Sequence, residues 1–144
     1  QRAQALMLVQ DLANRIAMNR NNAADYVTDV DSPIGTDGIC PAAGDSRQED
    51  DAAEWCTALM GAAETKGGAN VGAVVGGLGC VESDDGIRFV VSVAWQGLAP
   101  LAAPPEGVAC GLGAFGLDGS RCEGEVCRRV VSTVVEIADL TEPE

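Results

Sequence analysis

The sequence predicts an α+β fold: an N-terminal amphipathic helix packed on a small antiparallel β-sheet, with a second helix and disulfide-stapled loops. Three observations predict it. Apolar residues recur with a helical period over residues 1–20, side chains alternate over residues 87–95, and six cysteines stand at long, irregular spacings. A chain of 144 residues hides about two-thirds of its unfolded surface, enough for one core, so residues 1–144 read as a single domain.

The first twenty residues carry Leu6, Val9, Ala13 and Ile16 at spacings of three and four, which makes them the predicted helix packing face, with Ala5 and Leu12 widening it. Arg2, Asp11 and Arg15 fall off that stripe. No capping residue precedes the pattern, so the helix is expected to begin further upstream than Gln1, with residues 1–20 as its remainder. From Asn21 to Asp45 the chain turns polar and is punctuated by Ser32-Pro33, Gly35 and Asp37-Gly38. Ser46-Arg47-Gln48-Glu49 is a capping box that opens the second helix, and Glu49, Asp50 and Asp51 place acids in its first turn. That helix carries Ala52, Trp55, Leu59 and Ala62 and fades between Gly61 and Gly68. Cys40 lies just before it and Cys56 on it, so a Cys40–Cys56 bridge would pin the loop to the helix.

Strands follow. Residues 72–81 are glycine-rich but hold Val74, Val75 and Leu78, and Asp84-Asp85-Gly86 is a hairpin signal. Beyond it Ile87, Phe89, Val91, Val93 and Trp95 share one face, while Arg88, Ser92 and Gln96 share the other. A last strand spans Arg129 to Ala138. The intervening segment 97–127 is a long loop, rich in Ala, Pro and Gly, and its three cysteines explain how it stays ordered.

Composition narrows the chemistry. Apolar residues make up 47% and charged residues 22%, an ordinary globular balance, but the net charge is −13. Nine cations against 22 acids would repel a phosphate backbone, so nucleic acid is not an expected partner. With no histidine there is no imidazole base or metal ligand, and no serine or threonine has an imidazole partner. No catalytic residues and no cofactor are expected. Gly76-Gly77-Leu78-Gly79 lacks the basic residue or helix start that would hold a phosphate. The longest apolar runs, such as Phe89 to Val91, fall far short of the ~20 residues of a spanning helix.

Two metal readings compete with plainer ones. No C-x-x-C pair occurs, which disfavours zinc. Residues 29–37 have a calcium-loop flavour, yet Pro33 and Ile34 stand where the fifth ligand and the glycine belong. That leaves an irregular calcium site on Asp29, Asp31 and Asp37 as the alternative to solvated turn acids. Cys40, Cys56, Cys80, Cys110, Cys122 and Cys127 read as structural disulfides of an oxidising compartment. If all pair, an odd number of bridges must join the late three to the early three, and fifteen connectivities are open.

The order of short motifs resembles the soluble part of a type IV minor pilin of the PilV class. Asp11-Leu12-Ala13-Asn14-Arg15 through Asn19-Arg20 is similar to that family's stretch after its membrane segment, Asp51-Ala52-Ala53-Glu54-Trp55 to its second helix, Val91-Ser92-Val93-Ala94-Trp95 to the strand before its cysteine loop, and Cys127 with Arg128 to Ile137 to its terminal strand. The resemblance implies a structural subunit, not an enzyme. Such a subunit would be anchored in the inner membrane, on the periplasmic side, by a helix preceding Gln1. It would join a minor-pilin complex that primes pilus assembly at the tip, with other minor pilins, the major pilin and a tip adhesin as partners and an extracellular pilus as destination. It also implies a loop closed by Cys110–Cys127, leaving Cys80 and Cys122 as the third pair. A minor pseudopilin of a type II secretion system and an exported disulfide-bonded binding or adhesin module are the alternatives.

Overall fold

The computed structural model describes residues 2–29, 31–61, 65–66, 69–70, 75–97, 100–105, 107–115 and 119–137. Helix α1 spans Arg2–Met18 and helix α2 spans Arg47–Gly61, with a 3-10 segment, Arg20–Tyr26, continuing the chain beyond α1. Two short strands, β1 (Thr65–Lys66) and β2 (Ala69–Asn70), pair with each other. The main sheet is formed by β3 (Val75–Glu82), β4 (Arg88–Gln96) and β5 (Arg128–Glu136), antiparallel throughout and in chain order. The α+β expectation therefore holds, with three disulfides. Ala62, Val74 and Ala138 of the predicted elements lie outside the described residues.

Sequence period decides what each face does. Phe89, Val91, Val93 and Trp95 of β4 are buried and join α1 in the main core, together with Val81 of β3, Val131 of β5, and Trp55 and Leu59 of α2. Successive strand side chains point to opposite faces, so Ser92 and Ala94 face the other way. There Ala94 packs with Leu78, Cys80, Cys110 and Phe115 in a second, smaller cluster. The sheet is thus sandwiched between a helical layer and the cysteine loop, which is why β4 is buried over five consecutive residues where a half-exposed strand would alternate.

One expectation about α1 is corrected. The buried stripe is Ala5, Leu8, Val9, Leu12, Ala13 and Ile16, and Leu6 is 47% exposed. At 3.6 residues per turn Leu6 lies roughly a quarter-turn from the centre of that stripe. Leu8 takes the place that Leu6 was expected to fill, while Val9, Ala13 and Ile16 pack as read. Ile87 is also exposed, because it belongs to the hairpin before β4 begins.

The capping box forms as expected. Glu49 Oε1 accepts from the Asp45 and Ser46 amides, and the Glu49 amide donates to Ser46 Oγ at 3.1 Å. The outer edge of β3 is covered by the polar segment before α2. Ile34 and Gly79 exchange backbone hydrogen bonds of 2.8 and 2.9 Å, and Thr28 N donates to Val81 O.

Candidate functional site

Two polar clusters and one cleft among the described residues are each built by a different part of the chain. At the junction of α1 and α2, the buried Asp51 carboxylate is the hub. Its Oδ1 accepts from Arg15 Nη1 at 2.9 Å and lies 3.1 Å from Arg47 Nε, while Oδ2 accepts from the Tyr26 hydroxyl at 2.5 Å. Asn19 Nδ2 donates to the same hydroxyl. Arg15 also reaches Asp11 and Glu54. Burial alone would lower the affinity of the Arg15 guanidinium for its proton, but the carboxylates of Glu54, Asp11 and Asp51 outweigh it and raise its pKa above the ordinary value. Burial first, and then the hydrogen bond to Asp51, push the Tyr26 hydroxyl up to about 12. Trp55 completes the junction by donating its indole N–H to the Leu8 carbonyl at 2.8 Å.

On the far side of the sheet, Arg128 organises the cysteine loop. Its side chain is buried, and Nη1 donates to the carbonyls of Val108 and Cys110 at 2.7 and 2.8 Å. Nε lies 2.8 Å from Glu125 Oε1 without the alignment of a hydrogen bond, so that contact is an ion pair alone. Both Glu125 oxygens accept from the Gly113 amide.

The disulfides join these parts. Cys40–Cys56 ties the polar loop to α2, as the sequence suggested. The other two pairs correct the connectivity implied by resemblance, because Cys80 bonds Cys110 and Cys122 bonds Cys127. The reason lies in the sheet. Cys80 is on the β3 face turned toward the loop, packed with Cys110, whereas Cys127 stands just before β5 at the end of a turn begun by Cys122. One bridge joins the late cysteines to the early ones, which satisfies the odd-number condition.

The third place is a cleft of about 610 Å³ between the 31–38 segment and the 111–115 turn, floored by Leu78 and Phe115 and reached by Gln96 at the end of β4. Asp31 and Asp37 line it, but Asp29 does not. The Asp29 carboxylate instead accepts from the Asp31 amide at 3.1 Å, closing a local turn. Among the described residues no three acids or cysteines converge as a metal-binding set, so Asp29, Asp31 and Asp37 are not brought together for calcium. At the β3–β4 hairpin, backbone amides of Arg88 and Ile87 donate to Asp85 and lower its pKa below the ordinary carboxylate value.

Sequence reasoning missed the two polar hubs. Asp51 read as a helix first-turn acid, and its partners Arg15 and Tyr26 are 36 and 25 positions away. Arg128 read as an ordinary strand residue. The available signal was its place directly after Cys127, where a long cation at the start of a buried strand has to find acceptors. Compared with protein-family models, curated proteins and solved structures, the chain gives no significant match to any.

Proposed function

We propose that this chain is a structural subunit of a type IV pilus, the soluble part of a minor pilin that joins a minor-pilin complex priming assembly at the tip. The observation that carries the reading is the seating of α1. It buries one stripe on β4 and β5 and leaves Leu6 and Met7 exposed on its remaining surface, 47% and 73% respectively. In the proposed subunit that uncovered apolar surface is where neighbouring helices pack, and the membrane anchor is the continuation of the same helix before Gln1. Three disulfides with no free thiol suit a periplasmic and then extracellular life. In this reading the cysteine loop and its Arg128 clamp form a rigid surface for neighbouring subunits, and the chain performs no reaction. No helix among the described residues is long and apolar enough to cross a membrane.

The test is the coding sequence upstream of Gln1 in the source gene. The reading expects an unbroken apolar segment of about twenty residues in helical phase with α1, behind a short basic leader. A cleavable signal peptide or a separate folded domain there would overturn it in favour of an exported binding module. Co-purification of the full-length protein with other minor pilins then separates a pilus subunit from a pseudopilin of a secretion system.

A further inference from the structure

The cleft beside the cysteine loop combines acidic side chains with an apolar floor. The clefts of 400 to 430 Å³ each include an arginine, Arg20, Arg88 and Arg121 respectively, and the one at Arg88 also holds Glu82, Asp84 and Asp85. Among the described residues the 610 Å³ cleft is lined by no cationic side chain and by two carboxylates, Asp31 and Asp37. Neither of these two is engaged in an ion pair among the described residues. Its floor is apolar, formed by Leu78 and Phe115, and Leu112 stands 59% exposed at its rim.

We propose that this cleft receives an arginine or lysine side chain, with its flanking residues, from a basic segment of a partner protein. The carboxylates supply charge-assisted acceptors for the guanidinium or ammonium head. The aliphatic stem of such a side chain covers apolar surface while its head stays polar, which matches a floor of Leu78 and Phe115 beneath a rim of acids. Anionic ligands are excluded by the same charges, and the chain's net charge of −13 draws a basic partner toward this surface. A cleft of this volume is larger than one side chain fills, so it also accommodates the neighbours on the same strand of the partner, one of them against Leu112. Gln96 adds a neutral amide able to pair with the partner's backbone.

The inference does not rest on the assembly reading, since it concerns the isolated chain. The test is an amide-shift titration of the intact, disulfide-bonded, isotope-labelled protein with a capped pentapeptide holding arginine between two leucines. The control peptide replaces arginine by neutral citrulline. Expected are shifts grouped at Gly35, Thr36, Gly38, Gly111 and Gly113, and binding at least tenfold weaker for the citrulline peptide. A double variant Asp31→Asn and Asp37→Asn should lose at least tenfold as well. Asparagine tolerates the left-handed backbone of Asp37 (φ 59°) as aspartate does, and an unchanged spectrum elsewhere shows that the variant folds. No shifts, equal binding of both peptides, an unchanged double variant, or shifts centred on Asp84 and Asp85 as diffuse attraction to an acidic chain would each overturn the proposal.

Discussion

Gly79 of β3 lies against the indole of Trp55. A Cβ placed on Gly79 would stand 2.3 Å from ring atoms Cη2 and Cζ3, far inside van der Waals contact. The absence of a side chain is what lets α2 approach the sheet closely enough to bury Trp55 completely and to bring its indole N–H to Leu8 of α1. A glycine, an aromatic ring and a helix carbonyl thereby fix the mutual position of three elements.

Replacing Gly79 by alanine therefore forces a buried ring to move in a close-packed core. The expected destabilisation is about 3 kcal/mol, the upper range for overpacking. Gly61→Ala is the matching control, since its Cβ would meet nothing within 4 Å and alanine favours the helix end by up to about 1 kcal/mol. Denaturant unfolding followed by tryptophan fluorescence separates the two. Equal midpoints for both variants would mean that the ring is not held against β3.

This glycine also shows why the sequence was legible in some places and not in others. The α1 stripe, the capping box and the β4 alternation are local signals, repeated within a few residues, and the elements they predict are present. The glycine-rich strand looked weak because the reason for Gly79 lies on α2, twenty-four positions away at Trp55. Gly76 has the same character. Its φ of +65° falls in the irregular register between Val75 and Leu78, where the ladder shifts. Cys40–Cys56 was legible because both cysteines belong to one local unit, whereas the pairing of the other four failed because it depends on which sheet face the loop covers. The cleft at Asp31 and Asp37 was visible only as a cluster of turn acids, since its floor comes from Leu78 and Phe115.

The corrected pairing makes an ordered prediction. In the chain-entropy picture a bridge contributes more as it closes a longer loop, and the sequence separations are 30 for Cys80–Cys110, 16 for Cys40–Cys56 and 5 for Cys122–Cys127. Removing each pair by alanine substitution should cost about 3.5, 3 and 2 kcal/mol in that order. Denaturation midpoints of the three double variants check the order, and peptide mapping of the intact protein checks the pairing itself. A Cys110–Cys127 peptide would refute it.

Arg128 should matter to the loop more than to the sheet. Arg128→Met keeps the apolar stem but leaves the Val108 and Cys110 carbonyls without their donor, at a cost of about 2–3 kcal/mol. Hydrogen exchange resolves where that cost appears. The Gly113 amide, held by Glu125, should lose protection, while amides of β4 near Val91 keep theirs. Arg128→Lys should restore part of the protection by supplying one donor. Uniform loss across β4 and the loop would place Arg128 in the main core instead.

Tyr26 is the single tyrosine of the chain, so its ionisation can be read directly from phenolate absorbance. Burial and the Asp51 hydrogen bond raise its pKa to about 12, above the ordinary value of 10.0. The neutral hydroxyl is the form the fold favours. Between those two values the unfolded chain has released a proton that the folded chain still holds, so stability must fall as pH rises through that window. Below pH 10 the Tyr26 contribution is fully present, and by pH 12 about 2–3 kcal/mol of it should be gone. Asp51→Asn removes the negative charge but not the burial, so the phenolate should then titrate between 10 and 12, not at either end. The same variant leaves Arg15 and Arg47 without their shared buried carboxylate and should lower stability at neutral pH by about 3 kcal/mol. A native protein whose tyrosine titrates at the ordinary value would show that the Tyr26–Asp51 contact does not hold in solution, and with it that Asp51 is not the hub joining α1 to α2.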